Sequence, residues 1–149
     1  MKLLLYPLAF LLLSLPVQQN QNTKTDFEKT LKGTWELDSF YYYDTDNEVS
    51  DTIPTTEGYR QIKIFTDDRV MWTRFVPMDS VEWFGYGHYM ALDDQLIETL
   101  EYGSASMMKI IDTMRVFTFE LTLDEDNFSQ ITLDEEGNRF SAENYKRIE

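Results

Sequence analysis

Apolar and polar residues alternate along several short stretches of this chain, the pattern of half-buried β-strands. The first clear example runs over residues 34–43. Aromatic residues crowd both faces after Phe40, so the alternation is sharper at the start of this strand than at its end. The face predicted to point inward carries Trp35, Leu37, Ser39, Tyr41 and Tyr43.

Seven further stretches have the same character, and most are joined by turns rich in Asp, Asn and Gly. Strands that follow one another in this way lose their free edges most simply by closing on themselves. The predicted fold class is therefore all-β, an eight-stranded antiparallel up-and-down β-barrel. The predicted strands are 34–43, 59–65, 69–76, 85–92, 95–102, 114–123, 128–133 and 139–148.

Three segments interrupt the strand pattern. Residues 44–58 are rich in Asp and Thr and predict a long loop, which at this length is usually mobile or functional. Residues 78–84 predict a connection in which Trp83 and Phe84 are exposed. Residues 104–113 fit a short helix and a continued strand equally well, and both interpretations are kept.

The first residues differ in composition from the rest of the chain. Lys2 precedes an apolar run over residues 3–15, which is shorter than the roughly 20 residues of a transmembrane helix and fits a secretory signal peptide. Residues 1–19 are therefore predicted to direct export, to a periplasm or out of a bacterial cell. No small-x-small cleavage motif follows, so cleavage and an uncleaved anchor both stay open. No cysteine follows either, which excludes a lipoprotein anchor.

Residues 20–30 predict a polar spacer that ends in a short helix. Asp26 is a suitable N-cap, and Phe27 and Leu31 are four residues apart, on one face of such a helix. A helix this short is unstable alone, so we expect its two apolar side chains to plug one end of the barrel. The barrel itself is predicted to span residues 31–149.

Net charge restricts the classes of partner. The chain carries a formal charge of −14 at pH 7, which repels phosphate backbones and anionic lipid surfaces. Nucleic acid is therefore not a predicted partner, and no membrane contact is predicted beyond the signal segment. The chain has no cysteine, so burial alone must stabilise the fold, and aromatic residues make up 15% of it.

The stretch Gly33-Thr34-Trp35 opens the first of the eight strands after the short helix, and the basic Arg147 lies on the last strand. This arrangement resembles the lipocalin-like domains of the calycin group, especially secreted bacterial ones of undefined function, over residues 31–148. The resemblance implies a barrel that can hold a small apolar molecule. It also implies structural closure at Gly33, Trp35 and Arg147, with a cation–π contact between the last two. The chain lacks the disulfide and the further motifs of typical lipocalins.

Few residues of this chain suggest chemistry. His88 is its only histidine, which excludes a paired-histidine metal site, and neither cysteine nor a Gly-x-Ser-x-Gly motif is present. No cofactor, metal or catalytic residue is predicted. Arg74 and Glu98 stand out because each lies on an otherwise apolar strand face. Buried there, they must pair with each other or with the head group of a ligand.

Three hypotheses about function follow. The leading one is an exported lipocalin-like barrel that binds a small, mostly apolar molecule, oriented by Arg74 and Glu98. The second is an envelope interaction or structural module, with a lumen filled by its own side chains and a contact surface formed by residues 44–58 together with Trp83 and Phe84. The third, an enzyme acting through Glu98 or Tyr102, has the least support. The predicted pocket residues are Tyr41, Trp72, Arg74, Tyr89, Glu98, Tyr102 and Phe117.

Overall fold

The computed structural model describes residues 29–149, and in that range the chain is all-β with one short helix. Nine antiparallel strands form one sheet, and pairing of the first and last strands closes it into a ring. The strands are β1 (Gly33–Tyr43), β2 (Val49–Pro54), β3 (Arg60–Phe65), β4 (Arg69–Phe75), β5 (Trp83–Ala91), β6 (Gln95–Gly103), β7 (Val116–Leu123), β8 (Asn127–Leu133) and β9 (Arg139–Arg147), and helix α1 (Ala105–Ile111) follows β6.

Most of the segment predicted to precede the ring lies outside the described residues. This holds for the predicted signal peptide, residues 1–19, and for residues 20–28 of the predicted spacer and helix. Residues 29–32 are described and are not helical, so no helical plug is seen there. Leu31 is nevertheless buried and joins the core. Within residues 29–149 no helix has the length and apolar content needed to span a membrane.

Strand β1 joins the two ends of the sheet. One of its edges pairs with β9, while the other pairs first with β3, from Gly33 to Glu36, and then with β2, from Ser39 to Tyr43. The prediction of a structureless loop over residues 44–58 was therefore wrong. β1 extends beyond the end of β3, and its backbone groups need partners there. The β-branched residues of β2 suit that place.

The outer edge of β2 carries features that block further strand pairing. Ser50 is the extra residue of a β-bulge against β1. The amide of Thr52 donates to the carboxylate of Asp51 at 2.8 Å, and Pro54 has no amide to donate. Bulges, prolines and charged side chains are the usual protection of an exposed strand edge.

Helix α1 resolves the segment for which a helix and a strand were both open. The hydroxyl of Ser104 caps it by accepting from the amide of Met107 at 3.3 Å. Met107 and Ile111 lie four residues apart, so they share one face of the helix, and both pack against Leu100. The helix therefore covers part of one end of the ring.

A bulge in β1 changes which residues point inward. The register with β9 shifts at Asp38, so that Leu37 faces Tyr145 but Phe40, not Ser39, faces Glu143, the next inward residue of β9. Phe40 packs against the core, whereas Ser39 and Tyr41 lie on the opposite face. The predicted inward face of β1 is thus correct for Trp35 and Leu37 and wrong beyond Asp38, because one extra residue inverts the alternation.

The connection before β5 also differs from the prediction. Trp83 and Phe84, expected to be exposed in a loop, are the first two residues of β5 and are half-buried. Trp83 packs against the apolar cluster under α1. The exposed apolar residues of the connection are instead Met78 and Val81.

The main hydrophobic core fills the end of the ring where β1 begins. Phe128 is at its centre, in edge contact with Trp35 at 4.9 Å between ring centroids and stacked on Tyr145 at 4.6 Å. A second cluster lies under α1 at the other end, since Leu96 of β6 belongs to the first and Leu100 to the second. The buried members of the main core are Leu31, Trp35, Leu37, Phe65, Val70, Leu96, Leu121, Phe128 and Tyr145.

Trp35 and Arg147 close the end of the ring that holds the main core. The Arg147 guanidinium lies 4.0 Å from the centre of the indole, so the predicted cation–π contact is present. The same guanidinium donates to the carbonyl oxygens of Thr30 and Lys32, and the indole N–H donates to that of Leu31. These bonds tie the chain before β1 onto the last strand.

Gly33 is required at this closure by space and by conformation. Its φ is +128°, and a Cβ there would lie 2.7 Å from Nη1 of Arg147 and 2.4 Å from the carbonyl oxygen of Glu149. A larger residue would displace the arginine from the indole. The Gly-x-Trp spacing is therefore a packing requirement of the closed end.

We predict that Trp35→Ala destabilises the protein by at least about 3 kcal/mol, since it removes a fully buried indole and its contacts with Phe128 and Arg147. Urea unfolding followed by circular dichroism measures this. Phe75→Ala is the control, because Phe75 is 63% exposed and should change stability by no more than about 0.5 kcal/mol. A Trp35→Ala variant as stable as the parent would contradict the role of this closure.

Candidate functional site

A cavity of about 120 Å³ lies inside the ring, at the end covered in part by α1. One of its walls is apolar and is built from strands β4, β6 and β7 together with the helix. The rest of its lining, the polar wall, is contributed by β3, β4, β6, β8 and β9. The apolar wall consists of Trp72, Leu100, Met107, Phe117 and Phe119, and the polar wall of Gln61, Lys63, Arg74, Glu98, Gln130 and Glu143.

The place of Trp72 in this wall depends on a glycine across from it. Gly85 faces Trp72 in the register of β4 and β5, and a Cβ on it would lie 2.8 Å from the indole. The indole therefore lies flat against bare backbone. Glycines inside a strand pattern, such as Gly85 and Gly87, indicate either a sharp bend or a close approach of two backbones. The backbone approach is found at Gly87, where a Cβ would meet the Thr99 carbonyl oxygen at 2.1 Å, whereas the close neighbour of Gly85 is the Trp72 side chain.

Strand β3 contributes to the polar wall because two of its polar side chains point inward while its isoleucines face outward. Gln61 and Lys63 point inward and are each 2% exposed, whereas Ile64 on the outer face is 41% exposed. Neither inward residue was predicted from the sequence. The position of Phe65 could have indicated both. Side chains of a strand alternate between its two faces, so counting back from this core residue in steps of two gives Lys63 and Gln61.

Lys63 and Glu98 form a buried ion pair at the base of the cavity. Nζ of Lys63 lies 2.5 Å from Oε1 of Glu98, and the side chains of both are 3% exposed. Nζ also donates to the amide oxygen of Gln130 and lies 5.7 to 5.8 Å from the ring centres of Phe65, Phe119 and Tyr145. The pair is fully enclosed by its own neighbours.

Glu143 is the centre of the rest of the polar wall. Its Oε2 accepts hydrogen bonds from Gln61 at 3.0 Å, from Gln130 at 2.9 Å and from the Tyr145 hydroxyl at 2.6 Å. Burial, followed by the nearby charge of Glu143, raises the pKa of Tyr145 well above its usual value. Burial also raises the pKa of Tyr59, whose hydroxyl donates to Gln61 at 2.7 Å. Both phenols therefore act as neutral donors.

Arg74 is the member of the polar wall nearest to solvent. Its Nε donates to Oε1 of Gln61 at 2.9 Å, and its Nη2 lies 3.6 Å from Oε1 of Glu143. The side chains of Arg74 and Glu143 are 33% and 22% exposed. Arg74 and Glu98 were expected to pair with each other or with a ligand. Instead each pairs with another residue, because β3 and β9 bring Lys63 and Glu143 inward.

Four of the seven predicted pocket residues line the cavity, namely Trp72, Arg74, Glu98 and Phe117. Tyr41 follows the β1 bulge and lies on the outer face of the sheet, where it pairs with Ala142 of β9. Tyr89 is at the other end of the ring, where it packs on Phe65 at 4.9 Å and donates to the carbonyl oxygen of Thr66 at 2.8 Å.

Another bulge, in β6, turns Tyr102 outward. Leu100 faces Gly87 and Tyr102 faces Tyr86, which makes Glu101 the extra residue. Tyr102 is therefore 51% exposed, and its expected place beside Leu100 in the lumen was wrong. The alternation of a single strand cannot reveal such an insertion, because a bulge depends on the partner strand.

His88 belongs to a cluster of charged groups on the outer surface. Its Nε2 lies 2.7 Å from the carboxylate of Glu101 and 2.8 Å from Nη1 of Arg69, and its side chain is 48% exposed. Over residues 29–149 no group of three or more His, Cys, Asp or Glu side chains is arranged to hold a metal ion.

A larger, open depression of about 850 Å³ lies at the end of the ring that holds the main core, where Leu31, Tyr89, Leu121 and Leu123 line it. Lys29, the first described residue, also lines it. It has no buried charged group. The interior cavity is therefore the stronger candidate for a binding site.

Comparison with known proteins gives a fold and no activity. No protein-family model matches the chain, and no curated protein matches it. The chain is similar to the crystal structure of an uncharacterized protein from Bacteroides eggerthii DSM 20697, with a TM-score of 0.52 and 15% sequence identity over 79% of this chain and 99% of that chain. At this identity the likeness concerns the fold alone.

We predict that Lys63→Met destabilises the protein by about 3 to 5 kcal/mol, because it leaves the carboxylate of Glu98 buried without its cation. The double variant Lys63→Met/Glu98→Met should recover most of that loss, since it removes both charges. Urea unfolding of the single and double variants gives the coupling energy.

Lys146→Met is the matched control for this pair. Lys146 and Asp38 form an ion pair with side chains 61% and 45% exposed, so its loss should cost less than about 1 kcal/mol. A double variant that costs as much as the sum of the single variants Lys63→Met and Glu98→Met would show that the two charges are not coupled.

Proposed function

We propose that this protein is a lipocalin-like binding protein that holds a small, mostly apolar molecule inside its ring. The observation that carries the proposal is the cavity between the apolar wall, which includes Trp72 and Phe117, and the polar wall with Arg74 and Glu143. Such a pairing of a hydrophobic surface with a few convergent polar groups is typical of small-molecule sites. The ring would correspond to the up-and-down barrel of that class.

The two ends of the ring have different roles in this proposal. Trp35 and Arg147 close one end, where the core is solid. The cavity lies toward the other end, beside α1, and Arg74 is partly exposed there. A ligand would therefore enter between the helix and the end of β4, with its polar part near Arg74. Glu98, predicted to share this task, is enclosed with Lys63 and is left to a structural role.

The volume of the cavity limits the size of the ligand. At about 120 Å³ it is smaller than the roughly 300 to 1,000 Å³ of pockets for drug-sized molecules. An engineered apolar cavity of about 150 Å³ in another protein holds benzene. The proposed ligand is therefore of that order of size, or places only one part of a larger molecule inside.

Export is the second part of the proposal. The apolar run over residues 3–15 after Lys2 supports a signal peptide, and the negative charge of the chain suits a soluble protein of the periplasm or the medium. Cleavage would separate the ring from the apolar segment, whereas an uncleaved segment would tether it to the membrane.

A ring filled by its own side chains, acting as a structural or interaction module, is a second candidate. The described residues include no buried side-chain nitrogen or oxygen atom that lacks a hydrogen-bond partner, so the interior needs no ligand for its stability. The predicted contact surface for such an interaction, residues 44–58 with Trp83 and Phe84, has less support. Residues 49–54 form a protected edge strand, and Trp83 is packed inward.

Native mass spectrometry of the protein purified from its own source tests the two candidates. We expect an additional small mass that is lost on denaturation. Leu100→Phe, which places an aromatic ring in the cavity, should abolish it because the available volume is already small. Leu133→Phe is the control, since Leu133 is 41% exposed and lies outside the cavity. A protein free of any bound mass would favour the filled ring.

A further inference from the structure

The polar wall of the cavity carries no net charge. Its cations are Lys63 and Arg74, its anions are Glu98 and Glu143, and each cation is paired with one carboxylate. A ligand with a charged group would therefore bring an ion into the ring without a compensating partner, which is costly in a partly buried site. The charge of the chain, −14, adds repulsion against anions. Both facts favour a neutral ligand.

Arg74 and Glu143 are the more accessible of the two charged pairs in this wall, with side chains 33% and 22% exposed, whereas those of Lys63 and Glu98 are each 3% exposed. Their closest contact, Nη2 to Oε1 at 3.6 Å, is too long for a hydrogen bond. All three hydrogen bonds received by Glu143 from described residues go to Oε2, and the one that Arg74 donates comes from Nε. One acceptor and a set of donors are thus left facing each other.

A hydroxyl group satisfies both sides of this gap. Its oxygen accepts from the guanidinium, and its hydrogen is donated to Oε1 of Glu143. An oxygen about 2.8 Å from both partners at a tetrahedral angle holds them roughly 4.5 Å apart, so the guanidinium moves outward by roughly 1 Å. Arg74 has room for this because its side chain is 33% exposed. A carboxylate could only accept, and an ammonium group could only donate.

We propose that the ligand is a small neutral phenol or alcohol whose hydroxyl bridges Arg74 and Glu143. The aromatic ring or short chain of the ligand contacts Trp72 and Phe117 of the apolar wall. This inference rests on the proposed function, and it adds the chemical class of the ligand and the two residues that select it. Glu143 keeps its three other hydrogen bonds when the hydroxyl binds, so selection does not disturb the rest of the wall.

Titration with phenol, toluene and benzoate tests the class, because the three probes share a ring and differ in their polar group. The NMR signal of the Trp72 indole reports on the cavity, and that of Trp35 at the closed end is the internal control. We expect phenol to bind about tenfold or more tightly than toluene, the order of a hydrogen bond to charged groups. Benzoate should not bind measurably.

Glu143→Gln provides a change of specificity that a merely structural role would not produce. The variant keeps the size of the side chain and an oxygen acceptor, but it leaves the wall with one positive charge in excess. Benzoate should then bind at least as well as phenol. Glu36→Gln is the matched control, since it changes the net charge by the same amount at an exterior ion pair with Arg60. Glu36→Gln should bind phenol, toluene and benzoate in the same order of affinity as the parent protein.

The outcomes separate this inference from the proposed function. Toluene binding as tightly as phenol, or benzoate binding to the parent protein as tightly as phenol, would overturn the hydroxyl bridge while leaving a binding cavity. A failure of all three probes to shift Trp72 would overturn both. Should Glu143→Gln not fold, Arg74→Met serves instead, and its affinity for phenol must fall to that for toluene if the bridge exists.

Discussion

The interior of the ring depends on how β1 and β9 pair where the sheet closes. The pairing begins with Trp35 opposite Arg147, loses register at Asp38, and continues with Phe40 opposite Glu143. Side chains alternate with a period of two, so without that bulge every residue of β1 beyond Asp38 would exchange faces. Ser39 would then point inward opposite Glu143, where Phe40 now packs. One extra residue at the closure thus decides which side chains meet the polar wall.

The buried ion pair between Lys63 and Glu98 bears on which face of β3 points inward. On hydrophobicity alone, β3 would bury Ile62 and Ile64 and expose Lys63, the reverse of what it does. That arrangement would leave Glu98 without its cation in the interior, and breaking a buried pair costs several kcal/mol. Such pairs add little stability over an apolar core, but they distinguish sharply between alternative registers. The ion pair with Lys63 therefore fixes the face of β3.

Local pattern was sufficient to predict the strands of the ring and its closed end. Eight strands and the close backbone approach at Gly87 depend on spacing within one strand, and the contact of Trp35 with Arg147 was implied by the resemblance. The ninth strand was missed because β2 exists only by pairing with the far half of β1. The places of Tyr41 and Tyr102 were missed because bulges are properties of strand pairs. The partners of Arg74 and Glu98 lie on β3 and β9, distant in sequence, and no single-strand pattern identifies them.

A nearly filled ring and a selective binding site need not be opposed here. The network that fills the lower interior satisfies its own hydrogen bonds, which keeps Lys63 and Glu98 fixed and water out. The same packing reduces the free space to about 120 Å³ beside Arg74 and Glu143. A spacious lumen selects by hydrophobicity, because ligands can shift within it. In the proposed site, the gap has the size of one aromatic ring, with the Arg74 guanidinium and Oε1 of Glu143 at its edge. Such a gap selects ligands by the position and charge of one polar group. Under the proposed function, the filling of the ring is thus what gives the remaining space its chemical specificity.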